Sequence, residues 1–387
     1  MVTPIHLSED GVYNTRPHVL GGGLVINAGF YTRGGDDYVE KAEWEMGEVE
    51  AAYEWVEKKF VFKPQVMGWQ TARNSNMVLR IYERCKYQCR AYATIYLGTV
   101  LDATLAPTYA RFDYIVIGGG TSGCALAATL SQNANVLVLE RGGSPFENPV
   151  ATDIENFANT LLNTTPKAWS QLFISEDGVY NHRARVLGGD SVLNAGFYSR
   201  AEDYYVEKSE WEMEEVEAAY EWVEKKLVFK PQVMGWQAAL KDGLLEAGVV
   251  PYNGFTFDHI VGTKIGGTIF DPAGHRHSAA NLLEYANPDT IVVYLHALVH
   301  KILFTTKGRS RPKVYGVIYQ DVNGVFHKAK LAKNAMSEVI LCAGAIGSPQ
   351  LLMLSGVGPK AHVEAHGVDP VVLDQPGWAR DGRYIIQ

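Results

Sequence analysis

The sequence predicts an α/β fold with a mainly parallel sheet, and three observations support this prediction. A short, largely apolar run over residues 112–117 is followed at once by a glycine-rich turn and an alanine-rich helical stretch. A second apolar run, residues 135–139, comes after that stretch. A third run, residues 337–342, again leads into a glycine-rich turn and a helix start. A helix between two apolar strands is the crossover that joins neighbouring parallel strands.

Length, composition and charge set the class of protein. The 387 residues suffice for two or three domains of about 150 residues each. Hydrophobic residues make up 47% of the chain and charged residues 20%, which is a globular composition. The net charge of -8 and the lack of a basic run exclude the surface that nucleic acid needs. Because no run of about 18 uncharged apolar residues occurs, no membrane span is predicted.

Neither the cysteines nor the N-terminus points to a metal or to a compartment. Cys85 and Cys89 have no second pair and no nearby histidines, so the sequence predicts no metal site. Met1–Asp10 lacks the apolar core of a secretory signal peptide. The localisation is therefore unknown at this point.

The chain contains a long internal repeat. Residues 8–70 align without a gap with residues 175–237, and 50 of these 63 positions are identical. The period of 167 residues is far longer than the ~20–50 residues of solenoid repeats. We therefore interpret residues 1–70 as a duplicated copy of 168–237. Residues 71–111 match no recognisable pattern, and we expect them to be a linker.

The second copy carries the stronger helix pattern. Ser209 and Glu212 have the spacing of a capping box, and apolar residues then recur at helical spacing, which predicts a helix over Trp211–Lys226. Because the second copy lies within the domain that begins at residue 112, we expect this copy, rather than the first, to occupy the position that either sequence could fill in the fold. Met1–Ala106 should then be loosely attached and dispensable.

The first glycine-rich turn has the spacing of a dinucleotide-binding loop. Gly118, Gly120 and Gly123 form a G-x-G-x-x-G pattern between a strand and a helix. The first glycine permits the turn, the second lets the backbone approach a diphosphate, and the third lets the helix pack on the sheet. Free N–H groups at the start of the helix would bind the phosphates.

Glu140 completes this pattern at the end of the second strand, 22 residues beyond Gly118. A carboxylate there can accept hydrogen bonds from both ribose hydroxyls and would repel a 2′-phosphate, which disfavours NADP. The same pattern serves NAD and FAD, so these residues alone leave that choice open.

Two further segments resemble the signatures of a known family. Residues 184–194, ARVLGGDSVLN, and residues 344–358, GAIGSPQLLMLSGVG, are similar to the two signatures of the glucose-methanol-choline (GMC) flavin oxidoreductases. Neighbouring stretches look most like the plant branch that holds HOTHEAD and the mandelonitrile lyases. The resemblance covers residues 112–377 and implies a Rossmann-like FAD-binding domain of the GMC type over that range. The cofactor that it implies is FAD.

The resemblance also implies which residues bind the cofactor. Val299, in a predicted strand Ile291–Phe304, matches the residue whose backbone meets the adenine, and Asn194 matches the residue beside the flavin. An amide there can hydrogen-bond either pyrimidine edge. The full set of predicted cofactor-binding residues is Gly118, Gly120, Thr121, Ser122, Gly123, Glu140, Arg141, Arg185, Gly189, Ser191, Asn194, Ala195, Val299 and Gly344.

The sequence departs from the family at two places. Asp190 stands where the family signature has a small residue, and its carboxylate would oppose a diphosphate. Residues 378–387 form a tail that leaves the family pattern. The antiparallel substrate domain is expected to be largely missing, and with it the family's C-terminal catalytic histidine. We therefore assign no catalytic residue.

Three functions remain open. The resemblance implies an oxidoreductase that transfers hydride from a CH–OH donor, a small-molecule alcohol, to FAD, and we expect the missing base to impair it. The mandelonitrile lyases imply cyanohydrin cleavage on the same scaffold. The third is a truncated, inactive gene product. Members of the family are usually secreted.

Overall fold

The structure of the protein, a computed structural model, describes residues 5–7, 13–15, 46–47, 49–51, 54, 99–176, 178–306, 312–333 and 336–371. The first strands in chain order are β1 (Ile5–Leu7), β2 (Tyr13–Thr15), β3 (Val100–Asp102), β4 (Tyr109–Phe112), β5 (Tyr114–Ile117), β6 (Val136–Leu139), β7 (Ser170–Ile174), β8 (Tyr180–Ala184) and β9 (Phe197–Tyr198). They are followed by β10 (Tyr252–Phe255), β11 (Thr263–Ile265), β12 (Gly267–Thr268), β13 (Ile291–Leu295), β14 (Leu298–Thr305), β15 (Lys313–Gln320), β16 (Phe326–Leu331) and β17 (Glu338–Leu341). The α-helices whose full extent lies within the described residues are α1 (Thr121–Leu130), α2 (Phe157–Leu162), α3 (Asp203–Lys208), α4 (Met213–Leu227), α5 (Gly235–Glu246), α6 (Gly344–Leu354) and α7 (Lys360–Ala365).

A five-stranded parallel sheet in the order β17-β5-β6-β13-β3 forms the centre of the fold. Side chains alternate between its faces, so that Val136 and Val138 of β6 pack with α1 while Leu137 and Leu139 pack with β14, β15 and β16. All four side chains are buried because both faces are covered. The predicted α/β fold with a Rossmann-like parallel sheet is confirmed.

The chain leaves the parallel sheet between β13 and β14. The sequence predicts one strand over Ile291–Phe304, but His296 adopts a left-handed backbone conformation with φ of 55° and interrupts it. β14 then pairs antiparallel with β15 in a second sheet of order β14-β15-β16-β4. Val299 therefore belongs to this second sheet.

The linker prediction for residues 71–111 is wrong for its last part. β3 pairs in parallel with β13 at the edge of the central sheet, and β4 pairs in parallel with β16. Ala103, between them, is completely buried in the core. A three-residue strand is too short to show a periodic pattern, which is why the sequence did not indicate it. Residues 71–98, 372–377 and the tail 378–387 lie outside the described residues.

The two copies of the repeat can be compared at one hairpin. β1 pairs with β2 in the same antiparallel register as β7 with β8, so that Ile5 opposes Thr15 as Leu172 opposes His182, 167 positions later. Most of residues 1–70 otherwise lie outside the described ranges.

The predicted helix Trp211–Lys226 is present as α4, but its predicted capping box is not. Ser209 lies at the C-terminal end of α3, where its N–H donates to the carbonyl of Tyr205. Glu210 then takes a left-handed conformation with φ of 56°, and α4 begins three residues later at Met213. Ser209 therefore ends α3 instead of capping the N-terminus of α4.

Candidate functional site

A cleft of about 680 Å³ opens at the carboxyl ends of β5, β6 and β17. In doubly wound sheets this edge is where ligands bind. Nine of the predicted cofactor-binding residues line the cleft: Gly118, Gly120, Thr121, Ser122, Glu140, Arg141, Gly189, Val299 and Gly344.

The glycines of the first turn have distinct steric roles. Gly118 has φ of 98°, and a Cβ there would lie 2.4 Å from the carbonyl oxygen of Cys342. A Cβ on Gly123 would lie 2.0 Å from the carbonyl oxygen of Gly118, so this glycine allows α1 to pack against the turn and does not line the cleft. At Gly120 the nearest atom would be 3.8 Å away, which leaves an open backbone surface facing the cleft.

Two helices begin at this cleft. No side chain caps the N-terminus of α1 at Gly120 or that of α6 at Ala343. The N–H groups of a first helical turn have no acceptor within their own helix. Two positive helix ends therefore meet at one cleft, an arrangement that binds phosphate groups.

Glu140 is buried at the end of β6, with only 6% of its surface exposed. Its carboxylate accepts one hydrogen bond from the N–H of Gly119 at 3.0 Å and another from the N–H of Gly142 at 2.8 Å. Burial raises the pKa of Glu140 above its ordinary value, although the backbone N–H groups of Gly142, Gly119 and Arg141 act to lower it. An ionised carboxylate has about four acceptor positions, so at least one remains to accept a ribose hydroxyl.

Arg141 and Arg183 bring positive charge to the cleft. Arg141 donates to the Oε1 atom of Gln171 at 2.6 Å and to the carbonyl of Ala184 at 2.9 Å. Burial lowers the pKa of Arg141, and the nearby charge of Arg183 lowers it further. An anionic ligand would relieve that repulsion.

Asp190 also lines the cleft, as its position in the signature predicts. Its Oδ1 atom accepts the N–H of Ala184 at 3.0 Å. The carboxylate also acts to raise the pKa of Arg141. Its negative charge is therefore partly offset by the arginines at the same cleft.

Two residues of the first signature point elsewhere. Arg185 does not line the cleft, because its guanidinium donates to the carbonyl of Pro166 and, at 2.9 Å, to that of Ala168. Ser191 accepts the N–H of Ala279 at 2.9 Å and donates to the carbonyl of Gly188, so its hydroxyl stabilises the turn.

Asn194 and Ala195 follow this turn and are exposed outside the cleft lining. The Oδ1 atom of Asn194 accepts two hydrogen bonds, one from the N–H of Gly196 and one from Arg276, each at 2.9 Å.

Sequence reasoning missed several residues that the fold brings to the cleft. They are Asn181, His182 and Arg183 of β8, His300 of β14 and Gln350 of α6. The hairpin and the second sheet reach the cleft only through tertiary packing. The repeat offered only a weak sequence clue, because both copies keep an asparagine at Asn181 (Asn14) and an arginine at Arg183 (Arg16), as they do at most of the aligned positions.

This geometry defines a dinucleotide-binding α/β protein, with the cleft at a glycine-rich turn and an acidic residue at the end of the second strand. The family model described as GMC oxidoreductase matches residues 112–372. The chain belongs to the GMC oxidoreductase family, as its signatures predicted. FAD is the cofactor of this family, and the open surface at Gly120, the two helix N-termini and Glu140 fit it.

Curated relatives place the chain near plant members of the family. It is 56% identical to Protein HOTHEAD of Arabidopsis thaliana over 68% of this chain and 44% of that protein. It is 50% identical to an (R)-mandelonitrile lyase-like protein of Arabidopsis thaliana over 73% of this chain and 51% of that protein. A sinapyl alcohol oxidase of Nesocodon mauritianus is 48% identical over the same shares of the two chains, 73% and 51%. The chain thus spans about half the length of the curated relatives it matches.

A solved structure shows the same fold. Formate oxidase from Aspergillus oryzae matches with a TM-score of 0.57 and 20% identity, over 69% of this chain and 51% of that chain. Within the described ranges, no helix combines the length and apolar character needed to cross a membrane. The same part of the chain contains no group of three His, Cys, Asp or Glu residues that could hold a metal ion.

Proposed function

We propose that this chain forms the FAD-binding part of an oxidoreductase that acts on small-molecule CH–OH donors. The observation that carries the proposal is the cleft, where two uncapped helix N-termini, an open glycine surface and a buried carboxylate meet. The sinapyl alcohol oxidase relative supports an alcohol as substrate. FAD, when bound, accepts a hydride from the substrate carbon.

The roles of the chain's own residues follow from their positions. The backbone of Gly120, Thr121 and Ser122 would bind the diphosphate, and Glu140 would bind the ribose hydroxyls. Arg141 and Gly344 would add positive charge and an open backbone surface at the same cleft.

Two alternative functions remain, because a specific observation favours each of them. The (R)-mandelonitrile lyase-like relative supports cyanohydrin cleavage without net oxidation. Asp190, which lines the cleft with a carboxylate, supports an inactive product that retains FAD weakly.

One experiment separates these readings. The purified chain is denatured and the supernatant is checked for flavin absorbance, and FAD-loaded chain is then mixed anaerobically with sinapyl alcohol or with mandelonitrile. Bleaching of the flavin by the alcohol supports the oxidoreductase, and cyanide release without bleaching supports the lyase. Bound flavin with neither reaction supports FAD binding without turnover, as expected when the catalytic base is missing, and absent flavin supports the inactive product.

The Gly120→Val variant tests whether flavin binds at this cleft. Gly120 has extended backbone angles, φ of -86° and ψ of -162°, which any residue can adopt. A Cβ there would lie no closer than 3.8 Å to the neighbouring protein atoms, and the side chain would occupy the space in which we propose that the diphosphate binds. The variant should therefore fold normally and lose flavin.

A further inference from the structure

Two histidines lie one helical turn apart at the C-terminal end of α7. His362 belongs to the last turn of the helix, and His366 follows its last residue, Ala365. Side chains four positions apart lie on the same face of a helix. The two imidazole rings accordingly lie side by side, with their centroids 4.6 Å apart and their planes at 39°. Both residues are exposed, and neither lines the cleft.

The backbone that carries the two rings is held in place by the residue between them. Val363 is only 1% exposed, so it anchors the helix end in the protein interior. Its carbonyl accepts the N–H groups of His366 and of Val368. The folded chain therefore keeps the two rings together, whereas an unfolded chain would not.

One hydrogen bond determines which nitrogen of His366 is available to a ligand. Its Nδ1 atom lies 2.9 Å from the carbonyl oxygen of His362. A carbonyl oxygen can only accept, so Nδ1 carries the proton and Nε2 of the neutral ring keeps its lone pair. Histidines that bind metals commonly donate their other ring N–H to a backbone carbonyl, which orients the ring and makes the free nitrogen more basic.

No carboxylate in the described part of the chain competes for these two rings. Several other histidines there pair with an aspartate or a glutamate, but His362 and His366 have none within ion-pair distance. Glu364, which lies between them in the sequence, instead approaches Lys360 at 3.8 Å. A cation would therefore meet two imidazoles that have no acidic partner.

We propose that His362 and His366 form a two-nitrogen chelate for a divalent transition-metal ion that favours imidazole, of the group Ni²⁺, Cu²⁺ and Zn²⁺. Two nitrogens bound to one such ion at about 2.0–2.1 Å lie roughly 3 Å apart. Rings with centroids 4.6 Å apart reach that separation by rotation of the side chains. The described residues provide no group of three ligands, so water completes the coordination.

The proposed site makes the stability of the helix end depend on the metal. An ion held by both rings joins the last turn of α7 to the residue that follows it. Because the ion binds the folded helix end more tightly than the unfolded chain, it raises the melting temperature as its concentration increases. Mg²⁺, which prefers oxygen ligands, should have no such effect.

Titration calorimetry with Ni²⁺, on the full chain purified without a histidine tag, tests the chelate. We expect His362→Gln and His366→Gln each to raise the Kd of this site at least about tenfold, because one imidazole then binds where two acted together. His259→Gln is the matched control, because His259 is also exposed but pairs with Glu202 at a distant place in the sequence. It should leave the Kd unchanged.

A double variant tests the spacing rather than the number of histidines. His362→Gln/Glu364→His keeps two histidines, but two positions apart they lie on different faces of the helix. It should bind Ni²⁺ as weakly as the single variants, and Ni²⁺ should raise the melting temperature of wild type only. Equal Kd values in wild type and His366→Gln, or wild-type affinity in the double variant, would overturn the proposal.

Discussion

Replacing Glu140 by glutamine tests the centre of the candidate site with an almost isosteric change. In the wild type, one carboxylate oxygen faces the N–H of Gly119 and the other the N–H of Gly142. Glutamine can accept from only one of them, and its NH₂ group then faces a donor. The variant also loses the charge that strengthens hydrogen bonds to ribose hydroxyls.

The expected size of the effect follows from these bonds. A hydrogen bond to a charged group contributes about 1.5–3 kcal/mol, so losing one should raise the Kd for FAD roughly 10- to 150-fold. Titration calorimetry at pH 7.5 measures this directly. Glu155→Gln, a change at an exposed residue outside the cleft, is the control and should leave the Kd unaltered.

The pH dependence provides a second, independent check on Glu140. Burial raises its folded pKa above the unfolded value, so its contribution to stability is present at low pH and is lost as pH rises through the folded pKa. FAD binding needs the carboxylate, so affinity should rise over the same interval while the stability of the FAD-free protein falls. Glu140→Gln should remove both trends. Equal Kd values in wild type and variant, or a Kd independent of pH in the wild type, would refute the reasoning.

Three further changes address the rest of the fold and site. Gly123→Ala places a Cβ 2.0 Å from a backbone oxygen and should lower the free energy of unfolding by about 1–3 kcal/mol or more. The measurement is the melting temperature, and an unchanged value would contradict the packing role of this glycine. Asp190→Asn can keep the hydrogen bond from Ala184 while removing a negative charge from the cleft, so FAD occupancy after purification should rise. Equal occupancy would show that the charge of Asp190 does not affect FAD binding. Deleting residues 1–98 should preserve folding and FAD retention, whereas deleting 1–106 removes β3 and the buried Ala103 and should reduce both. Identical behaviour of the two deletions would mean that β3 contributes little.

Local patterns predicted the part of the site that is built from local geometry. The roles of Gly118 and Gly123 follow from steric limits within one turn, and Glu140 follows from the end of the next strand, so sequence spacing was sufficient. The cofactor-contact predictions for these residues remain to be tested by the variants above.

Predictions failed where tertiary packing decides. Arg185 lies just beyond the end of β8 and turns toward the carbonyl of Ala168, while Arg183, within the strand, reaches the cleft. The two arginines look equivalent in the sequence. They differ because β8 ends at Ala184, between them. Likewise the contact between Arg276 and the side chain of Asn194 joins residues 82 positions apart, which no local pattern can indicate.

The matching hairpins have a consequence for how the chain folds. β1 and β7 differ in sequence, IHL against LFI, yet the two hairpins share one register, and what they have in common is the connecting sequence SEDGVYN. This shared sequence favours the same local pairing in both places, and hairpins form within about 1–10 μs, before distant strands pair. Because β8 forms one wall of the cleft, the folding chain carries two early-forming candidates for a single wall. Chain connectivity, rather than strand pairing, then decides which of them is used.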